Sequence, residues 1–226
     1  MLDAAYRNAH SRIAELVAGL GDAQLEAPVP ATPGWTVHEL VAHLVGGAAD
    51  AVSGRLDGAP GEQWTARHVA ERRDRPIGEL LAEWDRVAPQ AEADLAGQQF
   101  TGPNLAIDAI CHEADLREAL GMPPVEREHW QQPFLEVLMR TLDRRLRGLA
   151  SVLIHDETGR QWQCGSAESA GWVLRAEAYE VLRALLSRRS QRQIADWAWS
   201  SAPPARVVEQ FGVFGPRDDD QPVPTR

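Results

Sequence analysis

The sequence predicts an α plus α+β chain: an antiparallel four-helix bundle over residues 1–124, followed by a small α+β domain over residues 125–226. Three observations lead to this. Apolar residues recur at helical spacing in four stretches of about the first 122 positions. Glycine and proline punctuate the intervals between them. Beyond "GMPPVE" the pattern changes, and two alternating runs flank the turn "DETG".

Helix one occupies residues 2–20, where Ala5, Ile13, Leu16, Val17 and Leu20 share a face and Gly19 and Gly21 are placed to end it. The link "APVPATPGW" excludes helix until Thr36, because proline lacks an amide hydrogen and drives the preceding residue toward extended backbone. Helix two begins there and fades near "SGRLDGAPGE". Helix three, "EQWTARHVAERRDRPIGELLAEWDRVAPQAEADLAG", is expected to be interrupted near Pro76 and to resume through Leu80, Leu81, Trp84 and Val87, with a heavily charged polar face. Helix four lies in "GPNLAIDAICHEADLREALGMPP": Asn104 caps it, Leu105, Ile107, Ile110, Leu116 and Leu120 form its apolar set, and Gly121 with Pro123 stops it.

In the second domain a helix containing "FLEVLMRTLDRRLRGLA" leads into a hairpin, "SVLIHDETGRQWQCG". A short strand and an amphipathic helix follow in "GWVLRAEAYEVLRALLSRRS". The tail "FGVFGPRDDDQPVPTR" closes with proline and charge, and its last few residues are expected to be mobile.

Composition narrows the function classes. A formal charge of −10 with no basic stripe interleaved with aromatics argues against a nucleic-acid partner. All 23 basic side chains other than histidine are arginine, which excludes Schiff-base chemistry on lysine. No apolar run reaches the length of a membrane span, and "MLDAAYRNAHSRIAEL" reads as an amphipathic helix rather than a signal peptide, so a soluble, cytoplasmic protein without a membrane partner is expected. Cys111 and Cys164 follow no ligand or disulfide spacing and are expected to be reduced packing residues.

The residues that carry chemistry lie on helices two and four. Thr36-Val37-His38-Glu39 fits a capping box, which gives Glu39 a structural task and leaves His38 in the exposed first turn. His43, five residues further on, turns to another face and sits among Leu40, Val41, Leu44 and Val45, toward the bundle interior or its edge. A buried imidazole needs partners for both nitrogens. Helix four offers Asp108 and His112, four residues apart on one face, with Asp115 three residues beyond. Two imidazoles and one carboxylate from His43, Asp108 and His112 form a three-donor set that leaves a coordination position open. Spacing alone also admits other readings: an Asp108–His112 pair on a solvated face, and a core His43 bonded to a carbonyl. Asp115 is either support for a ligating histidine or an acid beside Arg117 and Arg72 or Arg73.

"PGWTVHELVAHLVGG" and "DAICHEADLREALGMP" resemble the actinobacterial family of mycothiol-dependent maleylpyruvate isomerase-like proteins, whose N-terminal domain is one of the DinB-like metal-binding bundles. "VLRAEAYEVLRALLSRRSQRQI" and "FGVFGP" are similar to the family's smaller C-terminal domain. The resemblance implies a divalent metal, zinc foremost and nickel as the other candidate, held by His43, Asp108 and His112. Asp108 stands where the characterised isomerase type has glutamate; one methylene shorter, it must approach more closely or bind through water.

The resemblance also implies mycothiol as cofactor. A thiol at the open position of zinc is deprotonated, which supplies a thiolate near neutral pH. Adding to an activated double bond and leaving again gives isomerisation; attacking an electrophile and remaining gives thiol transfer. No arginine matches those with which such isomerases grip a dicarboxylate, and Arg72, Arg73, Arg75 and Arg217 are candidates, each with a solvated charged face as the alternative. The expectation is a metal-dependent, mycothiol-using isomerase or S-transferase with a small thiol and an electrophilic metabolite as partners. The alternative is a non-catalytic metal- or thiol-binding sensor or scaffold of the same fold.

Overall fold

The computed structural model describes residues 2–97, 104–166 and 171–224. Two compact units are present, one of residues 1–125 with 222–226 and one of residues 126–221. Thr225 and Arg226, the end of the tail expected to be mobile, lie outside the described residues.

The first unit contains helices α1 (Leu2–Ala18), α2 (Asp22–Leu25), α3 (Val37–Ser53), α4 (Glu62–Ala70), α5 (Ile77–Ala96) and α6 (Leu105–Ala119). α1 and α3 each pack on both α5 and α6, which makes these four the antiparallel bundle. Tyr6, Ile13, Leu40, Leu80, Trp84 and Leu116 are fully enclosed between them. Each such apolar side chain contributes roughly 1.5–3 kcal/mol by burial, more than helix propensity supplies to segments of this length. Trp84 Nε1–H donates to the Tyr6 hydroxyl at 2.8 Å, so the largest core side chain also leaves no buried donor unpaired.

Helix three is two helices, and the break falls earlier than the sequence suggests. α4 ends at Ala70, and residues 71–76 turn before α5 begins at Ile77. Pro76 disfavours helix at Arg75, and the arginines that would have extended α4 find partners in the turn. Arg72 reaches Glu83 with Nη2 and Nε at 2.7 and 3.2 Å, and Arg75 Nη1 reaches the same carboxylate at 2.5 Å. Arg73 pairs with Glu39 at 3.0 Å. These three therefore belong to a connection, not to the charged face of a helix.

α6 starts as its sequence predicts: Asn104 Oδ1 accepts from the amides of Ala106 and Ile107, both at 3.2 Å. One residue beyond its middle, Glu113 is fully buried and takes a two-pronged hydrogen bond from Arg12 of α1, at 2.8 and 2.6 Å.

The second unit opens with a 3-10 turn, Arg127–His129, and a five-residue π turn, Gln131–Leu135, before α7 (Glu136–Leu146). Strands β1 (Ser151–His155), β2 (Gln161–Gly165), β3 (Gly171–Arg175) and β4 (Ala198–Trp199) follow, with α8 (Ala178–Leu185) and α9 (Gln191–Ala195) between the last two and α10 (Ala205–Val208) at the end. The sheet order is β2-β1-β3-β4. β1 and β2 form the expected antiparallel hairpin, with Val152 opposite Cys164. Its turn is held by Asp156 Oδ1, which accepts from the amides of Thr158 and Arg160 at 2.9 Å. β3 lies parallel to β1, and β4 closes that side antiparallel; neither pairing is visible in the alternation of the sequence. Among the described residues no helix is long and apolar enough to cross a membrane.

Candidate metal centre

The start of α3 sets the phase of the whole site. Thr36 Oγ1 accepts from the Glu39 amide at 3.2 Å while the Glu39 carboxylate accepts from the Thr36 amide at 3.1 Å, the reciprocal box that the sequence predicts. His38 follows in the first turn but is half-buried, not exposed: its Nε2 lies 2.8 Å from the Arg75 carbonyl, which the early end of α4 brings within reach. His43 sits on the inner face at 4% exposure.

His43, Asp108 and His112 come together, with one donor atom from each all within 4.8 Å of the others. His43 Nε2 is 3.4 Å from Asp108 Oδ2, and His112 Nε2 is 3.4 Å from Asp108 Oδ1. The two rings stand almost perpendicular, at 85°, with centroids 5.2 Å apart. These separations are long for hydrogen bonds to a carboxylate. They match the spacing of about 3.3 Å between two donors that each lie about 2.0–2.1 Å from one tetrahedral ion. Asp108 remains 32% exposed, so the cluster opens on one side, and Trp35 lies 5.0 Å from the His43 ring.

The nitrogens turned away from Asp108 are both engaged. His112 Nδ1 is 2.9 Å from Oδ2 of the fully buried Asp115, the partner expected three residues along α6. His43 Nδ1 is 3.2 Å from Nδ1 of His68, on α4. His68 Nε2 is in turn 3.0 Å from Asp50 Oδ2, and Asp50 receives Arg67 Nη2 at 2.5 Å. Trp64 packs edge-on against His68 with centroids 4.1 Å apart. Gly46 makes this approach of α4 to α3 feasible, since a Cβ there would sit 2.5 Å from Cβ and Cγ of His68.

Electrostatics divide these groups. Burial alone would raise the Asp108 carboxyl, but the facing imidazoles, His112 first and then His43, outweigh it and hold Asp108 far below the usual carboxylate range. Burial alone would likewise lower His112; the facing Asp108, joined by Asp115, instead raises it to about 9. For His68 burial prevails over Asp50 and brings the imidazole down to about 4, so it is neutral near pH 7.

His68 and Asp50 are the residues the sequence reading missed. His68 falls in a charged run, and only Trp64, four positions before it, and the adjacent Gly46-Gly47 pair on α3 mark that face as a close contact. The cysteines behave as expected: both are buried and outside any disulfide, and burial pushes Cys164 up to about 12.

The fold and this cluster define a class: an antiparallel helix bundle carrying two imidazoles and a carboxylate on facing inner surfaces, a donor set suited to a divalent ion. Residues 6–107 match the family model described as the mycothiol maleylpyruvate isomerase N-terminal domain. The matched span includes His43 and ends one residue before Asp108. Two solved structures are similar to the chain, the crystal structure of the mycothiol-dependent maleylpyruvate isomerase and that of a histidine-to-alanine mutant. Each is 13% identical, covers 90% of this chain and 95% of the other, and has a TM-score of 0.49. No curated protein matches the chain.

Proposed function

We propose that the protein is a metal-dependent, mycothiol-using enzyme, an isomerase or a thiol transferase, acting on a small electrophilic metabolite. The observation that carries this reading is the convergence of one donor atom each from His43, Asp108 and His112 within 4.8 Å, in a bundle that matches the mycothiol maleylpyruvate isomerase N-terminal domain model. The donor chemistry favours zinc or nickel, because imidazole nitrogen and one carboxylate suit borderline ions better than magnesium or calcium. Such an ion acidifies a thiol bound to it, so that a thiolate is available near neutral pH.

The chain's own residues would do the rest. His43 and His112 each present one ring nitrogen to the ion position while the other nitrogen is held by a neighbour. Asp108 supplies the anionic donor and, at 32% exposure, leaves a side from which a thiol and a small substrate can enter. Trp35, packed on His43, walls that ring with apolar surface and limits water there.

One observation favours the alternative of a metal- or thiol-binding protein without turnover. The four arginines considered for gripping a dicarboxylate are engaged with acids of the chain: Arg72 and Arg75 with Glu83, Arg73 with Glu39, and Arg217 with Asp219. A single experiment separates the two readings. The full chain, purified without chelator, is assayed for metal content and for conversion of a panel of cis-enone and other electrophiles with and without mycothiol. The enzyme reading expects stoichiometric zinc or nickel, mycothiol-dependent conversion, and loss of both in His43→Ala. Bound metal and tight mycothiol binding with no conversion across the panel would favour the binding protein, and a wild-type chain without metal would overturn both.

A further inference from the structure

We infer that His68 is a positioning residue for His43: through Asp50 it fixes the proton on His43 Nδ1 and so aims the Nε2 lone pair at the ion position. This rests on the metal reading above and concerns residues outside the three proposed ligands.

If His43 Nε2 is to donate a lone pair, its proton must sit on Nδ1, where the acceptor among the described residues is His68 Nδ1, 3.2 Å away. That nitrogen accepts only if the proton of His68 is on Nε2. Asp50 enforces this, because its carboxylate, an acceptor only, lies 3.0 Å from His68 Nε2. Asp50 is itself fixed: it is 1% exposed, it takes Arg67 Nη2 at 2.5 Å, and Arg55 Nε lies 3.5 Å from its other oxygen. The chain Asp50–His68–His43 thus has one consistent assignment of protons, and it ends with a lone pair facing Asp108 and His112. On the other side of the cluster Asp115 performs the same task for His112 directly.

Packing supports a device rather than filler. A histidine serving only to fill space between α3 and α4 would not need both nitrogens in hydrogen-bonding contact with fixed groups. The approach also requires the absence of a side chain at Gly46, where a Cβ would meet the His68 ring at 2.5 Å. An apolar residue in place of His68 would leave His43 Nδ1–H buried without an acceptor, so the ring would be free to turn or to place its proton on Nε2.

The test is zinc affinity of the full chain, measured by competition with a chromophoric chelator, for wild type, His43→Ala, His68→Phe and His68→Gln, with thermal unfolding recorded for each. His43→Ala should abolish binding. His68→Phe keeps the volume and removes the acceptor, and should weaken zinc roughly 10- to 100-fold, the usual cost of losing such a partner. His68→Gln offers Oε1 to His43 and should recover most of that loss, although it packs no better than Phe. Proton-detected nitrogen-15 spectra of zinc-loaded wild type should show His43 protonated on Nδ1 and His68 on Nε2, an outcome independent of whether any variant folds. Wild-type zinc affinity in a folded His68→Phe, or a His68 proton on Nδ1, would overturn this inference while leaving the metal centre intact. A wild-type chain that binds no zinc would instead overturn the metal reading, and this inference with it.

Discussion

Two of the four acids of helix α6, Asp108 and Glu113, lie five residues apart, and their surroundings could hardly differ more. Glu113 is fully buried and neutralised by guanidinium groups, with Arg12 at 2.6 Å and Arg117 at 3.4 Å. Asp108 is 32% exposed and faces the imidazoles of His43 and His112, each 3.4 Å away. An acid gripped by arginines has its lone pairs committed and its charge balanced permanently, so it ties helices together. An acid facing imidazoles at a distance too long for good hydrogen bonds keeps both lone pairs available for something that enters from outside.

The sharpest way to break this comparison is to remove each acid in turn. Glu113→Ala strands two largely buried guanidiniums and should cost about 3–5 kcal/mol in denaturant unfolding while leaving zinc affinity of the remaining folded protein near wild type. Asp108→Ala should do the reverse, with loss of zinc binding and a much smaller change in the metal-free fold. If the two variants lost stability equally and bound zinc equally, the division of labour along α6 would be wrong.

A pH series of the metal-free protein tests the electrostatics, on the order of 3 kcal/mol on each side. His112 titrates at about 9 when folded against 6.5 unfolded, so its contribution is complete below pH 6.5 and is lost as pH rises toward 9. His68 has the opposite sign: lowered to about 4 from 6.5, it contributes above pH 6.5 and is lost as pH falls toward 4. Stability of the metal-free chain should therefore peak near pH 6.5, and Asp108→Asn should flatten the alkaline side only. The smallest effect belongs to His38, where His38→Ala removes one hydrogen bond to the Arg75 carbonyl. It should cost about 1 kcal/mol and leave zinc affinity unchanged, in contrast to His43 on the same helix.

Much of the bundle is legible because its signals are local. The Thr36–Glu39 box, the Asn104 cap and the four-residue spacing of Asp108 and His112 each depend on one helix alone, and the structure reproduces all three. The phase set by that box turns His43 inward and leaves His38 at the helix start, which is how a single segment with two histidines resolves into two roles. The features that escape are those decided by a second element. His68 is polar, lies in a charged run, and acquires meaning only when α4 docks on α3 across Gly46. Arg72, Arg73 and Arg75 read as a solvated helical face because the early end of α4 and the reach to Glu83 and Glu39 are tertiary. In the second unit the hairpin is visible in its alternation, whereas the parallel pairing of β3 with β1 joins segments whose sequences do not specify each other.

The central claim is that His43, Asp108 and His112 hold a divalent ion, and anomalous scattering from crystals grown without added metal tests it most directly. Data collected on both sides of the zinc and nickel absorption edges should give one peak about 2.0–2.2 Å from His43 Nε2, His112 Nε2 and an Asp108 oxygen. No peak at that position after soaking with zinc, or a peak held by other residues, would contradict it.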